Sequence, residues 1–167
     1  KKAIKKNCIA RGLGRSYGDS SIQPNKTVIT TKLNSIIDFD QKKGILEAEC
    51  GLSIKQLNEF IIKKGWFLPV TPGSKNITLG GMIATNVHGK NHHKVGSFGK
   101  YVISFKILDN KNRLISCSRK KNKKLFKYTI GGMGLTGVIY SLRIKLKKIF
   151  SDIIYEEKIK CYNLKET

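Results

Sequence analysis

The 167-residue chain is short of negative charge: 11 Asp and Glu stand against 33 Lys and Arg, a formal net charge of +22. It is also short of proline, with three, and of tryptophan, with one. No apolar run approaches the roughly 20 residues that a bilayer-spanning helix needs, and there is no apolar core of a signal peptide. The sequence therefore predicts no membrane-spanning segment, and a protein that is cytoplasmic or peripheral at a membrane. Cys8, Cys50, Cys117 and Cys161 nowhere form a C-x-x-C pair, which favours buried, reduced thiols and a reducing compartment.

Nearly all of the positive charge is lysine. Only Arg11, Arg15, Arg113, Arg119 and Arg143 could make the bidentate forks that recognise bases or phosphates. A solvated lysine surface is the expectation, with no specific nucleic-acid partner. The opening "KKAIKKNCIARG" has no initiator Met and reads as the end of an amphipathic helix entering a strand, so residues preceding Lys1 are expected.

Past that opening the chain alternates like a sheet. "NCIARG" reads as a short buried strand and "KTVITTKL" (residues 26–33) as a second. Residues 36–40 and 45–50 flank a turn and predict a hairpin, as do residues 101–108 and 113–118. Ser53 with Gln56 makes a capping box for a helix over residues 53–65, with Leu57, Phe60, Ile61 and Lys64 on one face, Gly65 at its C-cap, and Glu59 with Lys63 as an i,i+4 pair. "WFLPV" predicts a further strand, residues 123–128 a short helix, and residues 137–147 a long strand. Strands with few helices in this order give an α+β class.

Glycines concentrate in four segments, residues 12–18, 72–81, 89–99 and 131–137, more than core packing requires. Glycine serves where the backbone takes positive φ or is closely approached, so the pattern suggests backbone lining an extended ligand. "GLGRSYG" has the glycine spacing of a dinucleotide fingerprint, but the polar, proline-broken "DSSIQPNK" follows where a helix must open. "HGKN" lacks the first glycine and the Ser/Thr of a P-loop. In "TLGGMIATN", Thr78 can cap a short helix. Gly80 and Gly81 at its start either leave unpaired N–H groups for a diphosphate or allow a tight helix–sheet crossing. His88 and His92 are four apart, yet the intervening Gly89, Lys90 and Asn91 and the lack of a nearby carboxylate or thiol argue against a metal site.

Taken in order, "ARGLGRSYGD", "TPGS…TLGGMIATNVHGKNHHKVGSFG" and "GGMGLTGVI" closely resemble the FAD-binding PCMH-type domain of the vanillyl-alcohol-oxidase flavoproteins. The resemblance is nearest to the decaprenylphosphoryl-ribose oxidase and sugar-lactone oxidase branches and runs over about residues 8–147. It implies FAD held between two α/β lobes with mixed sheets. Residues 1–150 would form that domain, with its N-terminal part missing, and residues 151–167 would start a substrate domain or tail.

Carried onto matching positions, the resemblance has Ala10, Arg11, Gly12, Leu13, Gly14, Arg15, Ser16, Tyr17, Gly18, Asp19 and Ser20 wrap the diphosphate. Gly73, Thr78, Leu79, Gly80 and Gly81 would also hold the cofactor, Ile139 would contact its adenine side, and His88, Gly89, Lys90 and Asn91 would lie near the isoalloxazine ring. His88 and Lys90 would be the catalytic side chains. Arg15 stands where related lactone oxidases carry a histidine bonded to the flavin, so the FAD is expected to be non-covalent. The implied activity is oxidation of a sugar secondary alcohol, by hydride transfer to flavin N5. The substrate would be a sugar or polyprenyl-phosphoryl sugar, and a reductase or epimerase would be the partner protein. The alternatives are a sugar-lactone oxidase, or a basic polyanion-binding module without activity.

Overall fold

A computed structural model describes residues 8–24 and 26–165. Its centre is a five-stranded antiparallel sheet built from β3 (Ile36–Asp40), β4 (Ile45–Glu49), β6 (Val102–Leu108), β7 (Leu114–Ser118) and β8 (Val138–Lys145), in the order β3-β4-β8-β6-β7. Both expected hairpins are present, and the long C-terminal strand lies centrally between them. This is the α+β class read from the sequence.

Period-two patterning sets the two faces of the sheet. On one face Leu46, Ala48, Phe105, Ile107, Leu142 and Ile144 are buried. On the other, Glu47 meets Lys106 Nζ at 3.3 Å and Arg143 Nε at 3.8 Å. Helix α1 (Ile54–Ile61) covers part of the apolar face through Ile54, Leu57 and Ile61. Each such side chain contributes about 1.5–3 kcal/mol by leaving water. Its predicted capping box forms: Ser53 Oγ accepts from Gln56 N–H, and Gln56 Oε1 accepts from Ser53 N–H. A 3₁₀ turn (Ile62–Lys64) extends the helix until Gly65, at φ 77°, ends it. Among the described residues Glu59 and Lys63 form no ion pair. At the far edge α4 (Lys123–Thr129) packs on the sheet by stacking Phe126 on Phe105, with ring centroids 5.1 Å apart.

Two small sheets flank the large one. Strands β1 (Ile9–Arg11) and β2 (Thr27–Ile29) pair in parallel. The second strand is shorter than "KTVITTKL" predicts because Leu33 N–H bonds back to Thr30 O and turns the chain. Of "WFLPV" only β5 (Trp66–Phe67) pairs, against β9 (Lys147–Lys148), since Pro69 has no N–H to give a ladder. Residues 151–165 contain neither helix nor strand, and Ile153, Ile154 and Tyr155 are exposed.

Two short helices complete the frame. Helix α2 (Leu79–Ala84) buries Leu79, Met82 and Ile83 and connects to α3 (His92–Val95) through the "NVHGKN" turn.

Candidate functional site

Between the β1 side of the molecule and the α2–β8 side lies an open cleft, with about 880 Å³ of free space counting the solvent at its mouth. The segment after β1 forms one wall with Gly12, Leu13, Gly14, Arg15 and Ser16. Thr78, Gly80 and Gly81 at the start of α2 form the floor, and Met133, Gly134, Gly137 and Ile139 the opposite wall. Three of the four glycine-rich segments, far apart in sequence, therefore meet around one space.

The loop of residues 12–18 is built to keep its backbone available. Arg11 folds under it: its Nη1 donates to Ser21 Oγ at 3.2 Å, Ser16 Oγ donates to the same oxygen at 2.9 Å, and the guanidinium fills the place where Gly14, at φ 65°, would carry a Cβ. Gly12 rests directly on Thr78, whose hydroxyl a Cβ would strike. Braced in this way, the loop has no N–H between Leu13 and Tyr17 that donates to another described residue. A run of unspent amides is what a backbone anion-binding nest requires. Arg15 is exposed at the cleft and, among the described residues, no carboxylate lines it, so the local field favours an anion.

The start of α2 behaves differently from one of the two readings of "TLGG". Leu79 N–H donates to Leu52 O at 2.9 Å, Gly80 N–H to Cys50 O at 2.8 Å, Gly81 N–H to Thr78 Oγ1 at 3.2 Å and Met82 N–H to Thr78 O at 3.0 Å. The amides expected to be unpaired are spent on the sheet and the cap. Gly80 is needed for a close crossing, because a Cβ there would lie 3.0 Å from Cys50 O. The start of α2 thus supplies shape, and the loop after β1 supplies donors.

Eleven of the expected contact residues line the cleft: Ala10, Gly12, Leu13, Gly14, Arg15, Ser16, Ser20, Thr78, Gly80, Gly81 and Ile139. Arg11 braces the loop from behind and Leu79 is buried in the core. Tyr17 is 98% exposed, and Gly18, Asp19 and Gly73 also lie outside the lining. His88, Gly89, Lys90 and Asn91 form a turn that begins directly after Val87, which does line the cleft. In that turn the His88 and His92 rings are 5.0 Å apart. Among the described residues no three His, Cys, Asp or Glu side chains come together as a metal-binding group.

The sequence reading missed Ser21, Thr30, Ile77, Ala84, Thr85, Val87, Met133, Gly134 and Gly137, which also line the cleft. The glycine run at residues 131–137 marked the last three, but the positive φ of Met133, 53°, which turns its backbone into the wall, leaves no trace in residue type. Apolar walls from Leu13, Ile77, Val87, Met133 and Ile139 beside free amides and one arginine suit a large planar ligand with an anionic linker.

Comparison with known proteins shows the family. Residues 2–118 match the family described as FAD binding domain. The chain is 39% identical over 140 residues to a decaprenylphosphoryl-beta-D-ribose oxidase of Mycolicibacterium smegmatis, covering 83% of this chain and 30% of that protein. It is 30% identical over 141 residues to a D-lactate dehydrogenase of Archaeoglobus fulgidus, covering 81% and 31%, and 27% identical over 141 residues to an L-gulonolactone oxidase of Scyliorhinus torazame, covering 83% and 31%. The chain spans under a third of the length of each of these relatives.

Proposed function

The chain belongs to the FAD binding domain family, and from that premise we propose that it is the flavin-binding part of an oxidoreductase that oxidises a secondary alcohol of a sugar. The substrate is a polyprenyl-phosphoryl pentose or a related sugar, oxidised at its 2′-hydroxyl. The observation that carries the reading is the cleft itself, lined by the loop that holds the unspent amides, by Arg15 and by apolar side chains. The 39% identity to an oxidase of a polyprenyl-phosphoryl ribose supports the substrate class.

Bound FAD supplies the hydride acceptor, and this chain's residues orient and stabilise. The 12–18 loop amides and Arg15 hold the diphosphate, while Leu13, Met133 and Ile139 exclude water from the apolar parts of the cofactor. His88 and Lys90, on the turn that leaves the cleft wall at Val87, would stabilise developing negative charge on an oxygen or on the reduced ring. The general base comes from elsewhere in the protein. The FAD is held without a covalent bond, since Arg15 stands where related lactone oxidases carry the histidine that bonds to the flavin.

Residues 151–167 start the substrate domain in this reading; the exposed apolar side chains of Phe150, Ile153, Ile154 and Tyr155 await a partner surface. A reductase or epimerase consumes the keto product, and the protein associates peripherally with a membrane. Cations gather beside α4, where Arg119, Lys120, Lys121, Lys123, Lys124 and Lys127 lie near exposed Tyr128.

The test is expression of the full-length protein and its visible spectrum. Yellow protein that releases all flavin to the supernatant on acid precipitation is expected, together with reduction of the flavin by a polyprenyl-phosphoryl ribose under anaerobic conditions. Colourless protein that takes up no added FAD overturns the cofactor site, and colour that stays in the pellet overturns non-covalent binding. Flavin reduction by an aldonolactone but not by the phosphoryl sugar transfers the assignment to the lactone oxidases. Flotation with anionic vesicles at low but not high salt tests the membrane association.

A further inference from the structure

Asn86 occupies the junction of three segments around the cleft. It follows α2 with φ 45°, and the helix end is a complete Schellman motif: Asn86 N–H bonds to Ile83 O at 3.0 Å and Val87 N–H to Met82 O at 3.1 Å. Glycine is the usual residue at that left-handed position, and it would serve the backbone at least as well. What asparagine adds is its side chain. Asn86 Oδ1 accepts from Gly99 N–H at 2.9 Å.

That bond closes the neck of a loop. Phe98 N–H donates to Val87 O at 2.8 Å, so Val87–Phe98 and Asn86–Gly99 are successive clamps around residues 88–97, the segment holding His88, Gly89, Lys90 and Asn91. Gly99 is buried between Asn86 and Ile130, and a Cβ there would come within 2.9 Å of Asn86 Oδ1. The far side of the same turn is held by Arg119 Nη2, which donates to Gly99 O at 3.1 Å. On the opposite flank Gly131 N–H bonds to Ile83 O at 2.9 Å and Met133 N–H to Ala84 O at 2.8 Å, docking the Met133 wall on the same helix end. A Cβ on Gly131 would lie 3.5 Å from the Cβ of Asn86.

We propose that Asn86 is a positioning residue whose side-chain carbonyl fixes the 88–97 loop against the end of α2, and so sets where His88 and Lys90 stand relative to the cleft. Its bearing on chemistry rests on the reading that FAD occupies that cleft, whereas the clamp itself does not. The bond to Gly99, unlike the left-handed backbone, is what the asparagine is there to make.

Three full-length variants separate the two roles. Asn86→Gly keeps the backbone free and removes the acceptor, Asn86→Asp keeps an acceptor of the same reach, and Asn86→Ala loses both. The first readout needs no cofactor: the rate of tryptic cleavage after Lys90 and Lys94, followed by mass spectrometry. Loss of one net hydrogen bond predicts roughly 2- to 10-fold faster cleavage in Asn86→Gly with a melting temperature near the parent's, and recovery in Asn86→Asp. The second readout is the flavin absorption band and reduction potential, expected to shift in Asn86→Gly and return in Asn86→Asp. Parent-like cleavage and spectrum in Asn86→Gly, or no recovery in Asn86→Asp, overturns the proposal. Should the parent protein bind no flavin, the cofactor reading fails while the cleavage rates still decide the clamp.

Discussion

At Gly12 the absence of a methyl group lets the loop after β1 sit on the Thr78 cap of α2, joining one wall of the cleft to its floor. Thr78 is itself buried and caps Gly81, so it has nowhere to retreat. Gly12→Ala is therefore expected to cost about 1–3 kcal/mol, as overpacking does, and to weaken FAD binding together with stability, read from a melting curve and a flavin titration. An alanine variant with parent melting temperature and affinity would contradict the close approach. A second expectation at this scale concerns the thiols. Burial pushes the Cys50 thiol far above its ordinary range and raises Cys117 by the same cause. A buried thiol with so little thiolate is inert. Native protein mapped after treatment with a thiol reagent should be labelled at the exposed Cys161 and not at Cys50 or Cys117. Labelling of Cys50 as fast as Cys161 would contradict its burial.

The elements owe much of their definition to their ends. Between β6 and β7 the turn is held by Asp109, whose Oδ1 accepts from Lys111 and Arg113 N–H, both at 2.9 Å, and whose Oδ2 takes Arg113 Nε at 2.8 Å. The bond from the Arg113 backbone, helped by its side chain and opposed by desolvation, holds this carboxyl below its ordinary value. A group depressed on folding stabilises fully above its unfolded value and loses that contribution as pH falls through the folded one. Exchange protection of the β6–β7 hairpin amides should thus fall below about pH 4, and Asp109→Asn should remove that dependence. A variant with the same acid profile would place the titration elsewhere.

Such ends were also what the sequence made legible. The Ser53–Gln56 box, Gly65 and the two hairpin turns are short-range signals, so α1, β3–β4 and β6–β7 could be read without knowing the fold. The parallel pairing of β1 with β2, and the shortening of "KTVITTKL", depend on contacts from distant segments and could not. Glycine spacing pointed to four segments, of which three gather at the cleft and residues 89–99 do not line it. It did not reveal which amides stay unspent, because carbonyls of Leu52 and Cys50, nearly thirty residues away in sequence, consume those of Leu79 and Gly80. The Asn86–Gly99 bond was illegible for the same reason: residue type announces a helix end, and only the fold brings Gly99 to it.

For the whole molecule the decisive quantity is its charge of +22. Exposed ion pairs such as Lys43–Asp40, at 3.7 Å, contribute little in water, so the compact state carries its own repulsion. Raising salt from 0.01 to 0.15 M shortens the screening length from about 30 to about 8 Å and should raise the melting temperature with any inert anion. A ligand that uses the cleft should do more than screen. At matched ionic strength, FAD at about 100 times its dissociation constant adds about 2.7 kcal/mol to the folded state. Arg15→Ala removes a charge from the cleft and nothing from the core, so it should reduce the FAD increment while leaving the salt increment intact. If FAD raises the melting temperature no further than sulfate of equal ionic strength, the stabilisation belongs to the general charge and the cleft is not its source.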